Sequence, residues 1–150
     1  MVTTIAFSGS TKVTPEEEAR VRTFAHRLKV ADVWVTGGAP GIDTIIAESL
    51  LDLHPQARHI IVLPSAPYNY PAVKALIARG AEPIYMPASA THADAYRARN
   101  TKMVELADKL VAFPAGSEAA FRRSGTWMTC RIARRAGRPV WELRLDDPSW

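Results

Sequence analysis

Apolar residues along the chain fall into short runs rich in β-branched side chains, separated by longer stretches where they recur at helical spacing. Gly, Pro, Ser or Thr stands at each joint. The short runs predict strands at Thr4–Ser8, Asp32–Thr36, His59–Leu63, Glu82–Met86, Lys109–Pro114 and Pro139–Leu143. Pro83 lacks an N–H for a sheet ladder, so the fourth run belongs at a sheet edge or at the start of a strand. The longer stretches predict a helix opening at Thr14-Pro15-Glu16-Glu17-Glu18 and others over Ile42–Leu53, Tyr70–Arg79, Ala93–Ala107 and Gly125–Ala136. The first has a capping threonine, a first-turn proline and acidic residues suited to the helix dipole, and its inner face is read as Val21, Phe24, Ala25 and Leu28. Gly80 and Gly137 stop two of the others.

Strands alternating with helices call for a parallel sheet, because parallel neighbours need crossover connections and these are right-handed. The expected fold class is α/β, a Rossmann-like three-layer sandwich whose sheet is mostly parallel and has five or six strands. One domain is expected over residues 3–145, with Asp146-Asp147-Pro148-Ser149-Trp150 as a loose tail and the loop from Pro87 to His92 as a candidate flap. A chain of 150 residues, 47% of them hydrophobic, has the size of one domain and leaves no room for a second. No apolar run is long enough to span a bilayer and the start lacks a signal-peptide pattern, so a soluble cytoplasmic protein with no membrane partner is expected. A lone cysteine, Cys130, forms no internal disulfide.

The net charge of +4 is unevenly spread: residues 1–96 hold 8 basic and 9 acidic side chains, residues 97–138 hold 10 basic and 3 acidic. Such concentration favours anionic partners, although a solvated basic face with no partner reads equally well on charge alone.

Three glycine-bearing turns fall where strands give way to helices: Ser8-Gly9-Ser10, Thr36-Gly37-Gly38-Ala39-Pro40-Gly41, and the stretch from Pro114 to Thr126. Ligands of parallel sheets bind at the carboxyl ends of the strands, and free N–H groups of a first helical turn suit phosphate. Asp43, in the first turn after Gly41, caps its helix or holds a ribose hydroxyl. Arg99 suits bidentate phosphate binding, and Asn100 reads a base edge or fixes its loop; the alternative for both is a solvated helix surface. Trp127, Arg131, Arg134 and Arg135 share a helical face that would follow a nucleic-acid backbone while the indole stacks on a base. The alternative makes Trp127 core and the arginines solvated. There is no Gly-x-Gly-x-x-Gly after the first strand, no Walker loop and no Gly-x-Ser-x-Gly elbow. His26, His54, His59 and His92 have no metal-ligand spacing with one another or with Cys130, so neither a metal nor another required cofactor is expected. Cys130 reads as a small buried side chain.

The series Gly37-Gly38-Ala39-Pro40-Gly41-Ile42-Asp43, Arg99-Asn100 and Ser124-Gly125-Thr126-Trp127-Met128-Thr129, followed by Ala133 and Gly137-Arg138-Pro139-Val140, resembles the Rossmann-like domain of the DprA/Smf DNA-processing proteins. More broadly it is similar to the SLOG superfamily, which also holds the "lonely guy" phosphoribohydrolases. The similarity runs from about Ile5 to Val140. It implies a pocket for a nucleotide or nucleic-acid phosphate formed by Ser8, Gly9, Ser10, Gly37, Gly38, Gly41, Asp43, Arg99, Asn100, Ser124, Gly125 and Thr126. It also implies a nucleotide ligand, with single-stranded DNA as an alternative, and a homo-oligomer. Two departures matter. DprA proteins usually carry an arginine just after the first strand's glycine, where Ser10-Thr11 stand here. The phosphoribohydrolase branch uses Pro-Gly-Gly-x-Gly-Thr-x-x-Glu with a catalytic Glu, and Thr129 holds that position. Glu105 and Glu118 lack the spacing, so ligand binding is expected above N-glycosidic cleavage, and no catalytic residue is assigned.

Overall fold

A computed structural model describes residues 2–65 and 70–150. The elements, in order, are β1 (Thr4–Gly9), α1 (Pro15–Ala25), β2 (Val33–Thr36), α2 (Ile42–Leu53), β3 (Arg58–Leu63), α3 (Pro71–Ala78), β4 (Glu82–Tyr85), α4 (His92–Leu106), β5 (Lys109–Phe113), α5 (Gly125–Arg135) and β6 (Val140–Glu142). The six strands form one sheet in the order β4-β3-β2-β1-β5-β6, and every neighbouring pair is parallel. This is the expected Rossmann-like α/β sandwich, with β4 and its Pro83 at an edge.

Side chains alternate across each strand and so feed two cores. Ile5 and Phe7 of β1 and Val111 and Phe113 of β5 face α1 and α2, where Val21, Phe24, Ile42, Ile46 and Leu50 meet them. Ala6, Leu110 and Ala112 face the other way, onto Met103 and Val104 of α4 and Trp127, Cys130 and Ala133 of α5. A third cluster, with Leu51, Leu63, Val73 and Leu76, seats α3 beside α2. Each large aliphatic side chain so buried contributes about 1.5–3 kcal/mol relative to exposure. The α1 start is a reciprocal box: the Thr14 hydroxyl accepts from the Glu17 amide at 3.2 Å, and the Thr14 amide donates to Glu17 at 2.9 Å. Helix α1 ends at Ala25, so Leu28 packs on the core from beyond the helix rather than from its inner face.

Asp146, Asp147, Pro148 and Ser149 are exposed, yet the segment is tied down and is not a loose tail. The Arg20 guanidinium donates to the carbonyls of Leu145 (3.1 Å) and Asp147 (2.5 Å) and lies 4.1 Å from the centre of the Trp150 ring. Trp150 packs edge-on against Phe24 and donates to the Arg144 carbonyl at 2.7 Å. An indole at the end of a polar pentapeptide gave little sequence signal for docking, yet it fills the space between α1 and β5. No helix among the described residues is long and apolar enough to cross a membrane.

Cys130 is wholly buried in α5, and desolvation pushes its thiol up to about 11. A buried, protonated thiol is a poor nucleophile. Iodoacetamide is therefore expected to leave the native protein unlabelled at pH 8 and to alkylate one cysteine after denaturation; rapid labelling of the native protein would contradict the packing of α5.

Candidate nucleic-acid site

Strands β2, β3 and β4 lie to one side of β1, and α4 then carries the chain back across to β5 on the other. The carboxyl ends of β1 and β5 therefore diverge into a crevice at the switch point, the usual ligand position in an open parallel sheet. The Ser10 amide donates to the Phe113 carbonyl at 3.1 Å and closes the bottom of that crevice. Above it is a cleft of about 370 Å³. Ser8, Gly9, Ser10, Asp43, Arg99, Ser124, Gly125 and Thr126 are on its wall, as the sequence suggested.

Helix α5 opens into this cleft. Ser124 caps it, its hydroxyl accepting from the Trp127 amide at 3.1 Å and its carbonyl from the Met128 amide at 3.0 Å. The amides of Gly125 and Thr126 precede any intrahelical acceptor, so they face the cleft with the positive end of the helix dipole. A Cβ added at Gly125 would meet nothing within 4 Å. This glycine leaves open space and is not required by packing.

The Gly37–Gly41 turn is different. Gly37 and Gly38 are buried, and neither they, Gly41 nor Asn100 reaches the cleft wall. Gly38 has φ +70°, and a Cβ there would stand 2.6 Å from Leu63 Cδ2. Gly41 has φ +84°, and a Cβ there would stand 2.5 Å from the Ser10 carbonyl oxygen. The α2 terminus is already in use: Ile42 donates to the Ser10 carbonyl at 3.0 Å, and the Ala39 amide donates to Asp43 Oδ2 at 3.2 Å. The turn thus serves as a buttress under the β1 loop, and the helix end open to the cleft is that of α5.

Asp43 and Arg99 approach each other on either side of Gly37, whose missing side chain gives both room; a Cβ there would lie 2.8 Å from Asp43 Oδ2 and 3.0 Å from an Arg99 terminal nitrogen. Arg99, only 7% exposed, donates to the Gly37 carbonyl (2.5 Å) and to Asn100 Oδ1 (2.8 Å) and lies 5.3 Å from the Tyr96 ring centre. Asn100 passes the chain of contacts to Met128 Sδ at 3.6 Å, so both ends of its amide are engaged within the protein. It fixes Arg99; it is not turned out to read a base. Asp43 is 4% exposed, and burial drives its carboxyl up to about 6 against the pull of the Arg99 charge and the Ala39 and Gly9 amides. The Gly9 amide acts on it without a full hydrogen bond, leaving buried Oδ1 without a partner.

The helical face proposed to stack on a base does not exist as such. Trp127 is 3% exposed and donates its indole N–H to the Gly116 carbonyl at 3.1 Å, inside the core under β5. Arg131 pairs with Glu118 at 3.0 Å and donates to the Arg122 carbonyl at 3.0 Å; Arg134 pairs with Glu142 and lies 3.9 Å from Glu118. Much of this face is therefore charge-compensated, and Arg135 is exposed. Glu118 and Glu142 lie outside α5, before its start and after its end, where helical periodicity does not reach. Thr129 is buried, its hydroxyl donating to the Gly125 carbonyl at 2.8 Å, so no carboxylate stands one turn below the α5 terminus.

Several cleft residues were not singled out from sequence, among them Lys12, exposed on the β1–α1 loop, Glu17 in the first turn of α1, and the exposed Phe121. The adjacency Phe121-Arg122-Arg123-Ser124-Gly125, an aromatic and two arginines before a helix cap, was the available signal.

The family model of DNA recombination-mediator protein A matches residues 2–147. The chain belongs to the DNA recombination-mediator protein A family. A search of curated protein sequences finds no match. Among solved structures, DNA processing protein A from Helicobacter pylori, determined for its single-stranded DNA binding mode, superposes with a TM-score of 0.70 at 25% identity, over 97% of this chain and 67% of that one. DNA processing protein A from Streptococcus pneumoniae gives 0.73 at 23% identity, over 94% of this chain and 50% of that one. The Moco carrier protein of Chlamydomonas rheinhardtii gives 0.53 at 18% identity, over 95% and 76%. The last two likenesses are of fold alone. This member of the DNA recombination-mediator protein A family spans about two thirds and one half of the two DNA processing proteins it superposes on.

Proposed function

We propose that this chain binds single-stranded nucleic acid through a phosphate seated on the amides of Gly125 and Thr126, with Lys12 beside it. The observation that carries the reading is the open N-terminus of α5 at the β1/β5 switch point, in a chain of this family. The single-stranded DNA binding named for the Helicobacter pylori relative supports it. A cleft of about 370 Å³ is of the size that holds a small ligand, so a mononucleotide is the unit it accommodates, with the strand continuing over the rim. The N-glycosidic cleavage reading gains no support, because Thr129 is sealed inside α5 and Glu118 is bound to Arg131.

The test is fluorescence anisotropy with a labelled oligo(dT) over a range of NaCl concentrations. Phosphate contacts predict a linear fall of log affinity with log salt, and Lys12→Ala is expected to reduce that slope by about one. Gly125→Leu, placed where a side chain meets only open space, is expected to keep the melting temperature and abolish binding. Absence of wild-type binding at low salt, or full binding by Gly125→Leu, would overturn the proposal.

A further inference from the structure

Between β5 and α5 the chain makes an excursion over residues 114–124 that brings an aromatic ring to the edge of the cleft. Phe121 is 42% exposed, unusual for a phenylalanine, and lines the same cleft as Ser124, Gly125 and Thr126. The excursion is pinned. The Phe121 amide donates to the Ser117 carbonyl at 3.0 Å, and the Phe121 carbonyl accepts from the Ser124 amide at 3.0 Å. Ala120 donates to the Ser117 hydroxyl at 3.3 Å, Glu118 holds Arg131 at 3.0 Å, and the Arg122 carbonyl receives Arg131 at 3.0 Å. The Gly116 carbonyl is held by the Trp127 indole. One edge of the ring has a reason to lie where it does: a Cβ on Gly116 would fall 2.7 Å from Phe121 Cε2 and 3.1 Å from Cδ2, so glycine there lets that edge settle against the backbone. Arg122 and Arg123, both exposed, follow it directly and line a groove of about 690 Å³ next to the cleft.

We infer that Phe121 is a stacking platform for a base of the bound strand, the base next to the phosphate held at the α5 N-terminus, and that Arg122 and Arg123 carry the neighbouring phosphates outward. The inference rests on the reading given under Proposed function. A rigidly presented ring costs little ordering on binding, its face accepts any base, and the guanidiniums beside it match the alternation of base and phosphate along a single strand. The occupant is thus an unpaired nucleobase in a polymer; a duplex, whose bases are already stacked, does not offer one.

The experiment compares oligo(dT) with an abasic strand of equal length and charge, on the wild type, Phe121→Ala, Phe121→Leu and Phe121→Trp. Stacking predicts that Phe121→Ala and Phe121→Leu weaken oligo(dT) about tenfold, the scale of one base–aromatic contact, and leave the abasic strand unchanged. Phe121→Trp is expected to restore oligo(dT) affinity. Unchanged oligo(dT) binding by Phe121→Ala, or equal losses for both strands, would overturn the platform while leaving the phosphate site standing. If the wild type binds neither strand, the proposed function falls and the platform with it. Equal melting temperatures of the four proteins confirm that binding and not folding is being read.

Discussion

Gly41→Ala is expected to destabilise the protein by about 3 kcal/mol or more, lowering the melting temperature of a domain this size by about 9 °C. Two terms add. A residue with a Cβ at φ +84° incurs about 1–2 kcal/mol from backbone sterics alone. The new methyl would also stand 2.5 Å from the Ser10 carbonyl oxygen and 2.6 Å from that of Thr11, both backbone atoms that have nowhere to rotate. Relief requires pulling the β1 loop away from α2, which breaks the Ile42-to-Ser10 hydrogen bond and moves Lys12 from the cleft mouth. The controls separate the two terms. Gly137 has φ +73° but open space around its would-be Cβ, so Gly137→Ala should show the conformational term alone, about 1–2 kcal/mol. Gly125→Ala, in a helical first turn with open space, should be neutral or mildly stabilising. Urea unfolding of the three variants measures the order. Equal losses for Gly41→Ala and Gly137→Ala would mean that the contact with Ser10 and Thr11 is not what requires glycine at position 41.

That position also shows where sequence reading stopped. The turn Gly37–Gly41 was legible as a strand-to-helix joint with special backbone needs, and so were the strand runs, the Thr14–Glu17 box and the edge place of Pro83, because each depends on residues close together in the chain. Whether a glycine makes room for a ligand or for the protein's own backbone depends on what lies across from it. Here Ser10, Leu63 and Ile42 lie across from Gly41, Gly38 and Gly9. The α5 face failed for the same reason. Spacing puts Trp127, Arg131 and Arg134 on one side of a helix, but only the tertiary fold brings in β5, Glu118 and Glu142 to bury the first and neutralise the others. Ser124-Gly125-Thr126 does lie on the cleft wall, because a helix N-terminus that points at a switch point follows from topology alone. Phe121 was missed because an exposed aromatic in a loop has no periodicity to betray it.

Asp43→Asn is expected to stabilise the protein near neutral pH by up to about 3 kcal/mol and to flatten the pH dependence of ligand binding. The folded state holds the Asp43 carboxyl at about 6, above its ordinary 3.8, because burial outweighs the attraction of Arg99 and the amide bonds. Its favourable contribution is therefore fully present below pH 3.8 and is lost as pH rises through 6; above that the fold carries an ionised group it would rather keep neutral. Two pH units correspond to about 3 kcal/mol, and asparagine mimics the neutral acid while its carbonyl can still accept from the Ala39 amide. His59 works in the opposite sense. Burial lowers its pKa, so its contribution is present above its ordinary 6.5 and is lost as pH falls below that, which masks part of the Asp43 effect in the wild type. Comparing wild type and Asp43→Asn by urea unfolding from pH 4.5 to 8 cancels the histidine and isolates the carboxyl. The stability difference should grow with pH and level off above about 7. The same carboxyl lines the cleft, and a phosphate placed there raises the cost of ionising it, so wild-type affinity for oligo(dT) should rise as pH falls through 6 while the variant stays flat. Parallel pH profiles for the two proteins would show that the strand does not approach Asp43. Loss of binding by Asp43→Asn at every pH would give the carboxylate a direct role as an acceptor, with its unpartnered Oδ1 taking a hydrogen bond from the ligand.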